Sequence, residues 1–582
     1  MNARSCLWLL ALVLAGSRSV AAQDGAASIR LNQLGFYPNA PKHAVVVSPD
    51  AGPFHVIDLA TDDTVYHGTL GPAHVWPLSG ETVRQADCSR LRAPGTYALV
   101  VPSLGTSYPF AVQAAVHRPL AAGALKGYYY QRASTPLDAR YAGPWARAAG
   151  HPDDAVAVHP SAATAQRPAG TLIAAPRGWY DAGDYNKYIV NSGISTYTLL
   201  ALYEQYPAFS AHLEAGIPES DNAVPDVLDE AVWNLRWMLT MQDPHDGGVY
   251  HKLTHATFQG IVMPHEATAP RYVVQKSTAA ALNFAAVMAQ ATRLLANQAS
   301  AFPGLADSTR AAALNAWRWA RRNPEAVYNQ RALNESYDPD VVTGAYGGRR
   351  VDDEFAWAAA ELFITTAADS FLTAASPLDH DPSVPSWSNV EALGWYTLLH
   401  YRRQAAAVVD TAAMKQRFLR FADQLAGART QLPYGTVMGH EAGDFVWGSN
   451  AVAANQAMTL LQAFRLTADS TYLWAALSNQ DYLLGRNAVG YSFVTGFGAL
   501  SPGHPHHRPS EADTVAAPVP GLLVGGPNPG RQDGCIYAST LPARAYLDAW
   551  CSYASNEIAI NWNAPLVYVT TALEAALSDK RR

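Results

Sequence analysis

Two stretches of this chain concentrate side chains able to move protons. In Gly178-Trp-Tyr-Asp-Ala-Gly-Asp-Tyr-Asn-Lys-Tyr188, Asp181 and Asp184 stand three residues apart between glycines and aromatic rings. Such a carboxylate pair can hold a water for deprotonation beside the face of a sugar. The plainer reading is an Asp-rich turn capping the next helix. The second stretch runs from Asp548 through Glu557 to Asn563-Ala-Pro. Glu557 sits there among apolar and aromatic neighbours, surroundings that disfavour its ionised form and could keep it protonated near neutral pH, as a general acid requires. Here the plainer reading is that Asn556, Glu557 and Asn563 cap the last helix. Taken together, a pair set for water activation and a separate embedded glutamate could form the base and acid of a glycosidase.

A third cluster, Gly496-Phe-Gly-Ala-Leu-Ser-Pro-Gly-His-Pro-His506-His507-Arg508, carries adjacent histidines. Neighbouring residues rarely point at one ion and no Cys completes a zinc spacing, so hydrogen bonding of His506 and Arg508 to sugar hydroxyls is the better reading. His265-Glu266 and His440-Glu441 begin like a zincin motif but lack the second histidine, and neither a Gly-x-Ser-x-Gly elbow nor a phosphate-binding Gly-rich loop occurs.

These clusters need a frame. Residues 27–113 contain short β-rich runs punctuated by turn residues, among them His43-Ala-Val-Val-Val, Phe54-His-Val-Ile-Asp and Thr96-Tyr-Ala-Leu-Val-Val, which predict a small β-sandwich. Beyond Pro119 helical periodicity recurs over 120–133, 195–206, 227–242, 277–296, 309–322, 353–373, 390–402, 412–426, 451–466, 472–484 and 565–577. Few strand signals accompany it, so a large all-α domain is expected, its helices pairing into hairpins that can close into a ring. The loops between the helices are long and rich in Gly, Pro, His, Asp and aromatic residues, above all 140–187, 243–275, 428–450 and 486–556, and would line a cleft if they gathered at one end.

Composition narrows the partners. A formal charge of -7 and the absence of any basic run beyond Lys580-Arg581-Arg582 speak against nucleic acid. Residues 1–22, with Arg4, the apolar run Leu7–Ala15 and Val20-Ala-Ala before Gln23, read as a signal peptide, so a secreted or periplasmic protein with no membrane span after cleavage is expected. Cys88, Cys535 and Cys551 remain. They allow one bridge at most, Cys535 with Cys551, or else that pair stays as free buried thiols.

The motifs resemble glycoside hydrolase family 9, the cellulase family E, in its subgroup with an N-terminal immunoglobulin-like domain. Ile29-Arg-Leu-Asn-Gln-Leu-Gly-Phe-Tyr-Pro looks like the first strand of that domain, Gly178 to Tyr188 like the Asp-Ala-Gly-Asp segment, and Pro505-His-His-Arg508 and Tyr546-x-Asp548 through Glu557 like the two C-terminal signatures. The resemblance implies a mainly α chain: a signal peptide over 1–22, an immunoglobulin-like sandwich over 23–115 and an (α/α)6-barrel catalytic domain over 116–582. It implies an inverting endo-β-1,4-glucanase acting on cellulose, mixed-linkage glucan or cellodextrins. The alternatives are an exo-acting cellodextrinase, β-glucosidase or glucosaminidase and, remotely, a non-catalytic glycan binder. Carried over by position, Asp184 is the base, Asp181 orients the water, Glu557 is the acid and Asp548 is a further signature acid. His506, Arg508 and His251 would contact sugar, with Tyr553, Trp179 and Trp447 as stacking candidates. No cofactor is required for the chemistry. The resemblance places a structural calcium at Asp353 and Glu354, although Ser388 stands after Trp387 where relatives often carry Asp. A monomer with a β-glucan polysaccharide or oligosaccharide as substrate is expected.

Overall fold

The computed structural model describes residues 21–348 and 350–578. Nearly all of the expected signal peptide, residues 1–20, lies outside the described residues. Two sheets form the N-terminal unit. One orders the strands Ile29–Arg30, His43–Val47, Glu81–Asp87 and His74–Trp76. The other orders Gly35–Phe36, Phe110–Val112, Gly95–Val101, Pro53–Asp58 and Thr64–Thr69, with Gly105–Thr106 paired to Gly95–Val101. Alternate residues such as Phe54 and Val56 point inward, and with Ile29, Phe36, Leu99 and Phe110 they fill a core between the sheets.

The strand Glu81–Asp87 was not expected from the sequence, because Glu-Thr-Val-Arg-Gln-Ala-Asp is mostly polar. Its polar side chains serve the junction with the helical unit. Glu81 takes both Arg30 guanidinium bonds, at 2.8 and 2.9 Å, and the Tyr434 hydroxyl at 3.0 Å, while Gln85 donates to the Pro433 carbonyl. Trp76 packs on Tyr434 with ring centres 4.7 Å apart and lies against Phe445. Tyr37 donates to Glu574 on the final helix at 2.8 Å.

In the helical unit, contacts run from Ile189–Gln205 to Thr278–Leu295, to Asp352–Thr366 and to Glu391–His400. The Tyr396–Thr459 hydroxyl bond leads on to Ser449–Thr467, which packs on Ile560–Leu577, and that helix returns to Ile189–Gln205. Each of these helices carries a partner outside it. Leu305–Arg322 covers Thr278–Leu295, and Ser470–Leu483 covers Ser449–Thr467. Burial follows position: Thr278–Leu295 is buried nearly all round, whereas Leu305–Arg322 buries one stripe that includes Ala312, Ala316 and Trp319. By length and composition the former could cross a membrane, yet it is core. A buried ion-pair cluster crosses that core: Arg293 bonds Glu204 at 2.7 Å and Glu361 at 2.6 Å, joining three of the encircled helices.

Three helices differ from expectation. Ile189–Gln205 starts before residue 195, because Ile-Val-Asn-Ser-Gly reads as non-helical but is wholly buried, and Gly193 lets the neighbour approach: a Cβ there would lie 2.5 Å from Asn283 Oδ1. Ile560–Leu577 runs through Pro565 rather than starting at it. The expected 353–373 helix breaks at Ala367, whose φ is 57°. A five-stranded sheet, Leu172–Ile173, Val156–Val158, Arg271–Val273, Lys252–His255 and Lys187–Tyr188, knits together the long loops 140–187 and 243–275, which carry no clear strand signal.

Candidate active site

Backbone pairing brings the two carboxylate clusters together. Ala182 bridges Ala559, His506 bridges Glu557, and the Ile560 N–H donates to the Asp181 carbonyl at 2.8 Å. Gly183 permits this approach, since a Cβ there would stand 2.0 Å from the His506 carbonyl oxygen. Arg508 clasps the joint: its N–H (3.1 Å) and Nη1 (2.9 Å) donate to the Gly183 carbonyl, and its Nε donates to the Gln259 carbonyl at 2.8 Å. Behind them the buried His507 bonds Gln131, whose amide donates to the Tyr180 and Ala182 carbonyls.

Asp181 is 1% exposed. Its Oδ1 accepts from Asn191 Nδ2 at 2.5 Å and its Oδ2 from the Tyr346 hydroxyl at 2.7 Å. Burial pushes its carboxyl up to about 7; the Asn191 and Tyr346 bonds oppose the rise and the neighbouring Asp184 adds to it. Asp184 accepts the Asn186 N–H at 2.9 Å and the Asn186 side-chain amide at 3.1 Å, and Asn186 is itself fixed by Thr254 and the His255 N–H. Glu557 is half-buried, and burial, reinforced by the charges of Asp184 and Asp181, holds its carboxyl well above the usual range against the opposing pull of Arg508. The site therefore sets a carboxyl biased toward its neutral form beside the Asp181–Asp184 pair, in a cleft of about 630 Å³ whose walls include Tyr346, Trp387 and Trp447.

The remaining candidates divide. Trp447, 42% exposed, lines the cleft and packs on Tyr553, with ring centres 5.3 Å apart. His506 stacks on Trp550 at 4.2 Å and donates from Nδ1 to the Trp550 carbonyl at 2.7 Å, which leaves Nε2 as an acceptor. Burial lowers its pKa, keeping that lone pair free. Asp548 accepts from the Gly503 and His504 N–H groups and from Asn556, so it shapes the loop before His506 and lies outside the reacting centre. His251 is fully buried, with both ring nitrogens used by Ser277 and the Ala345 carbonyl; it acts on the cleft only by holding the wall residue Ala345. Trp179 corrects the sequence reading outright: it is 0% exposed and packed on Tyr128 in the core, because its side chain points away from the turn that presents Asp181.

Tyr346, Asn191, Trp387 and Gln532 were not singled out by sequence reasoning, yet they touch Asp181 or line the cleft. Tyr346 sits in Gly344-Ala-Tyr-Gly-Gly348 with φ 46°, and a tyrosine inside a Gly-rich loop was the available signal. Asp353 and Glu354 open the Asp352–Thr366 helix, where acidic residues also suit the helix dipole. Asp353 accepts the Val390 N–H at 2.9 Å, and Glu354 Oε2 is buried without a hydrogen-bond partner. Among the described residues no group of three or more His, Cys, Asp and Glu side chains converges, so this pair offers part of the shell a hard cation takes.

The profile described as glycosyl hydrolase family 9 matches residues 118–570, and the cellulase N-terminal ig-like domain matches 24–106. The xyloglucan-specific endo-beta-1,4-glucanase BoGH9A of Bacteroides ovatus is 46% identical over 97% of this chain and 96% of its own. The cellodextrinase of Butyrivibrio fibrisolvens is 28% identical over 94% of this chain and 99% of its own. Among solved structures, the Bacteroides ovatus GH9 protein superposes with a TM-score of 0.88 at 44% identity, covering 95% of this chain and 99% of that one. AaCel9A in complex with cellobiose-like isofagomine superposes at 0.83 and 33% identity, covering 94% and 99%.

Proposed function

The chain belongs to glycosyl hydrolase family 9, and on that premise we propose that it is an inverting endo-β-1,4-glucanase. The observation that carries the reading is the pairing of Ala182 with Ala559, which sets the Asp181–Asp184 pair opposite Glu557 at the cleft floor. In the proposed reaction Asp184 removes a proton from water and the resulting hydroxide attacks the anomeric carbon. Glu557 gives its proton to the glycosidic oxygen as the C–O bond breaks. Asp181, held by Asn191 and Tyr346, orients the water. His506 offers Nε2 to a sugar hydroxyl, and Trp447 with Tyr553 supplies a stacking surface.

The substrate class follows from the same cleft. Small residues along its walls, Gly344, Ala345, Ser386, Ser388 and Ala451, leave room beside a glucan chain for branches. With the specificity named for BoGH9A, this supports xyloglucan alongside unbranched β-1,4-glucan. The closed series of helix contacts supports an (α/α)6 barrel over 116–582, with the immunoglobulin-like sandwich over 23–115. Export to the periplasm or medium is supported by the leader-like sequence of 1–22 and by the Cys535–Cys551 disulfide, which belongs to an oxidising compartment. Asp353 and Glu354 would hold a structural calcium, supported by the orphaned Glu354 oxygen. The catalytic assignment is tested with Glu557→Gln, expected to bind glucan yet lose turnover by about two to four orders of magnitude, and by NMR of the first product, expected to be the α-anomer. Wild-type turnover in the folded variant, or β-product first, would end the assignment.

A further inference from the structure

The disulfide between Cys535 and Cys551 stands where the cleft wall beside Glu557 is built. Just before Cys535, Gln532 lines the cleft. Just after Cys551, Tyr553 packs on the cleft residue Trp447 and against His506, and its hydroxyl donates to the Gln532 carbonyl at 2.8 Å. The disulfide adds a covalent tie to the hydrogen bonds that join the two flanking segments into one wall. Asp533 assists, accepting the Ala554 N–H at 3.0 Å and the Tyr537 hydroxyl at 2.6 Å. Between the cysteines the chain leaves the cleft altogether and reaches the N-terminal unit, where the Ala543 N–H donates to the Leu78 carbonyl at 3.0 Å and Arg544 lies 3.7 Å from Glu81. A segment anchored at its far end and carrying the exposed Ile536 beside Cys535 would be free to splay at the cleft without a tie.

We propose that the Cys535–Cys551 disulfide is a specificity-determining staple, which fixes Gln532 and Tyr553 as a binding wall for the part of a long glucan chain lying beyond the cleaved bond. The proposal rests on the glucanase reading and adds which residues set chain-length preference. None of the stapled residues contacts Asp181 or Asp184, and the Glu557 carbonyl accepts the Gly525 N–H at 2.8 Å, a tie outside the stapled segments. The chemistry at the floor is therefore insulated from the staple, while affinity along the wall is not. The bridge also limits how far the two segments can separate when the cleft is empty, so less order is lost when a chain binds.

The test is steady-state kinetics of the full chain on cellohexaose and on cellotriose. It compares wild type, the Cys535→Ser/Cys551→Ser double variant and Tyr553→Phe, which leaves the bridge but removes the hydroxyl bond to Gln532. The double variant is expected to raise KM for cellohexaose several-fold, with kcat and its pH profile unchanged and with little change for cellotriose. Tyr553→Phe is expected to move KM the same way by a smaller factor, and it carries the test if the double variant does not fold. An unchanged KM for cellohexaose, or a loss confined to kcat, overturns the proposal. Wild type lacking activity on both oligosaccharides would instead overturn the glucanase reading on which it rests.

Discussion

Replacing Tyr346 by Phe removes a single oxygen from the site and leaves its packing in place. The ring stays between Tyr188 and Trp387, with ring centres 4.8 and 5.1 Å away, so the loop has no reason to move. What is lost is the hydroxyl donated to Asp181 at 2.7 Å. A hydrogen bond to a charged acceptor contributes about 1.5–3 kcal/mol. If the bond is worth that much more in the transition state than in the free enzyme, kcat/KM falls about 10- to 150-fold. The pH profile carries the sharper signature. The Tyr346 bond favours ionised Asp181, opposing the burial that pushes its carboxyl to about 7. Without it the carboxylate forms only at higher pH, and the acid limb of the profile moves upward. The assay is initial rates of cellohexaose cleavage across the acid and neutral range, with circular dichroism to confirm folding. A variant whose rate stays within about twofold and whose acid limb does not move would refute the reasoning that Asp181 depends on Tyr346 for its charge.

Glu557 offers a pair of opposed signs. Asp181→Asn removes a charge that raises the Glu557 pKa and should move the basic limb of kcat/KM to lower pH, whereas Arg508→Gln removes one that lowers it and should move the limb upward; shifts in the same direction would contradict the electrostatics. Arg293→Met leaves Glu204 and Glu361 buried without their shared cation and is expected to cost about 3–5 kcal/mol, read from the denaturant midpoint. Chelation by EDTA should lower the melting temperature and added calcium restore it, with Asp353→Asn/Glu354→Gln insensitive to both; a wild type indifferent to calcium would remove that ion from Asp353 and Glu354.

The sequence pointed to the carboxylates that the structure gathers at one cleft more readily than to the contacts that surround them. Asp181, Asp184 and Glu557 were legible because carboxylates among glycines and rings are costly to place without a use. The inward alternation of Pro53–Asp58 and the stripe of Leu305–Arg322 were legible because each element buries one face. Ile189–Gln205 and Thr278–Leu295 are encircled instead, so their sequences answer to neighbours on every side and their ends blur. Trp179 misled because a ring next to an aspartate in sequence can project into the core while the aspartate faces the cleft. Tyr346 reaches Asp181 from 165 positions away through a positive-φ turn, a placement that no local pattern encodes.

The joint between Ala182 and Ala559 also dates the enzyme's competence during its own synthesis. Glu557 follows Asp184 by more than 370 residues, which at about 5–20 residues per second take about 20–75 s to add. Throughout that interval the nascent chain carries Asp181 and Asp184 without Glu557. A product ending before residue 560 would lack the helix Ile560–Leu577, whose packing on Ile189–Gln205 closes the series of helix contacts. Completion of the helical unit and assembly of the three carboxylates are thus a single event.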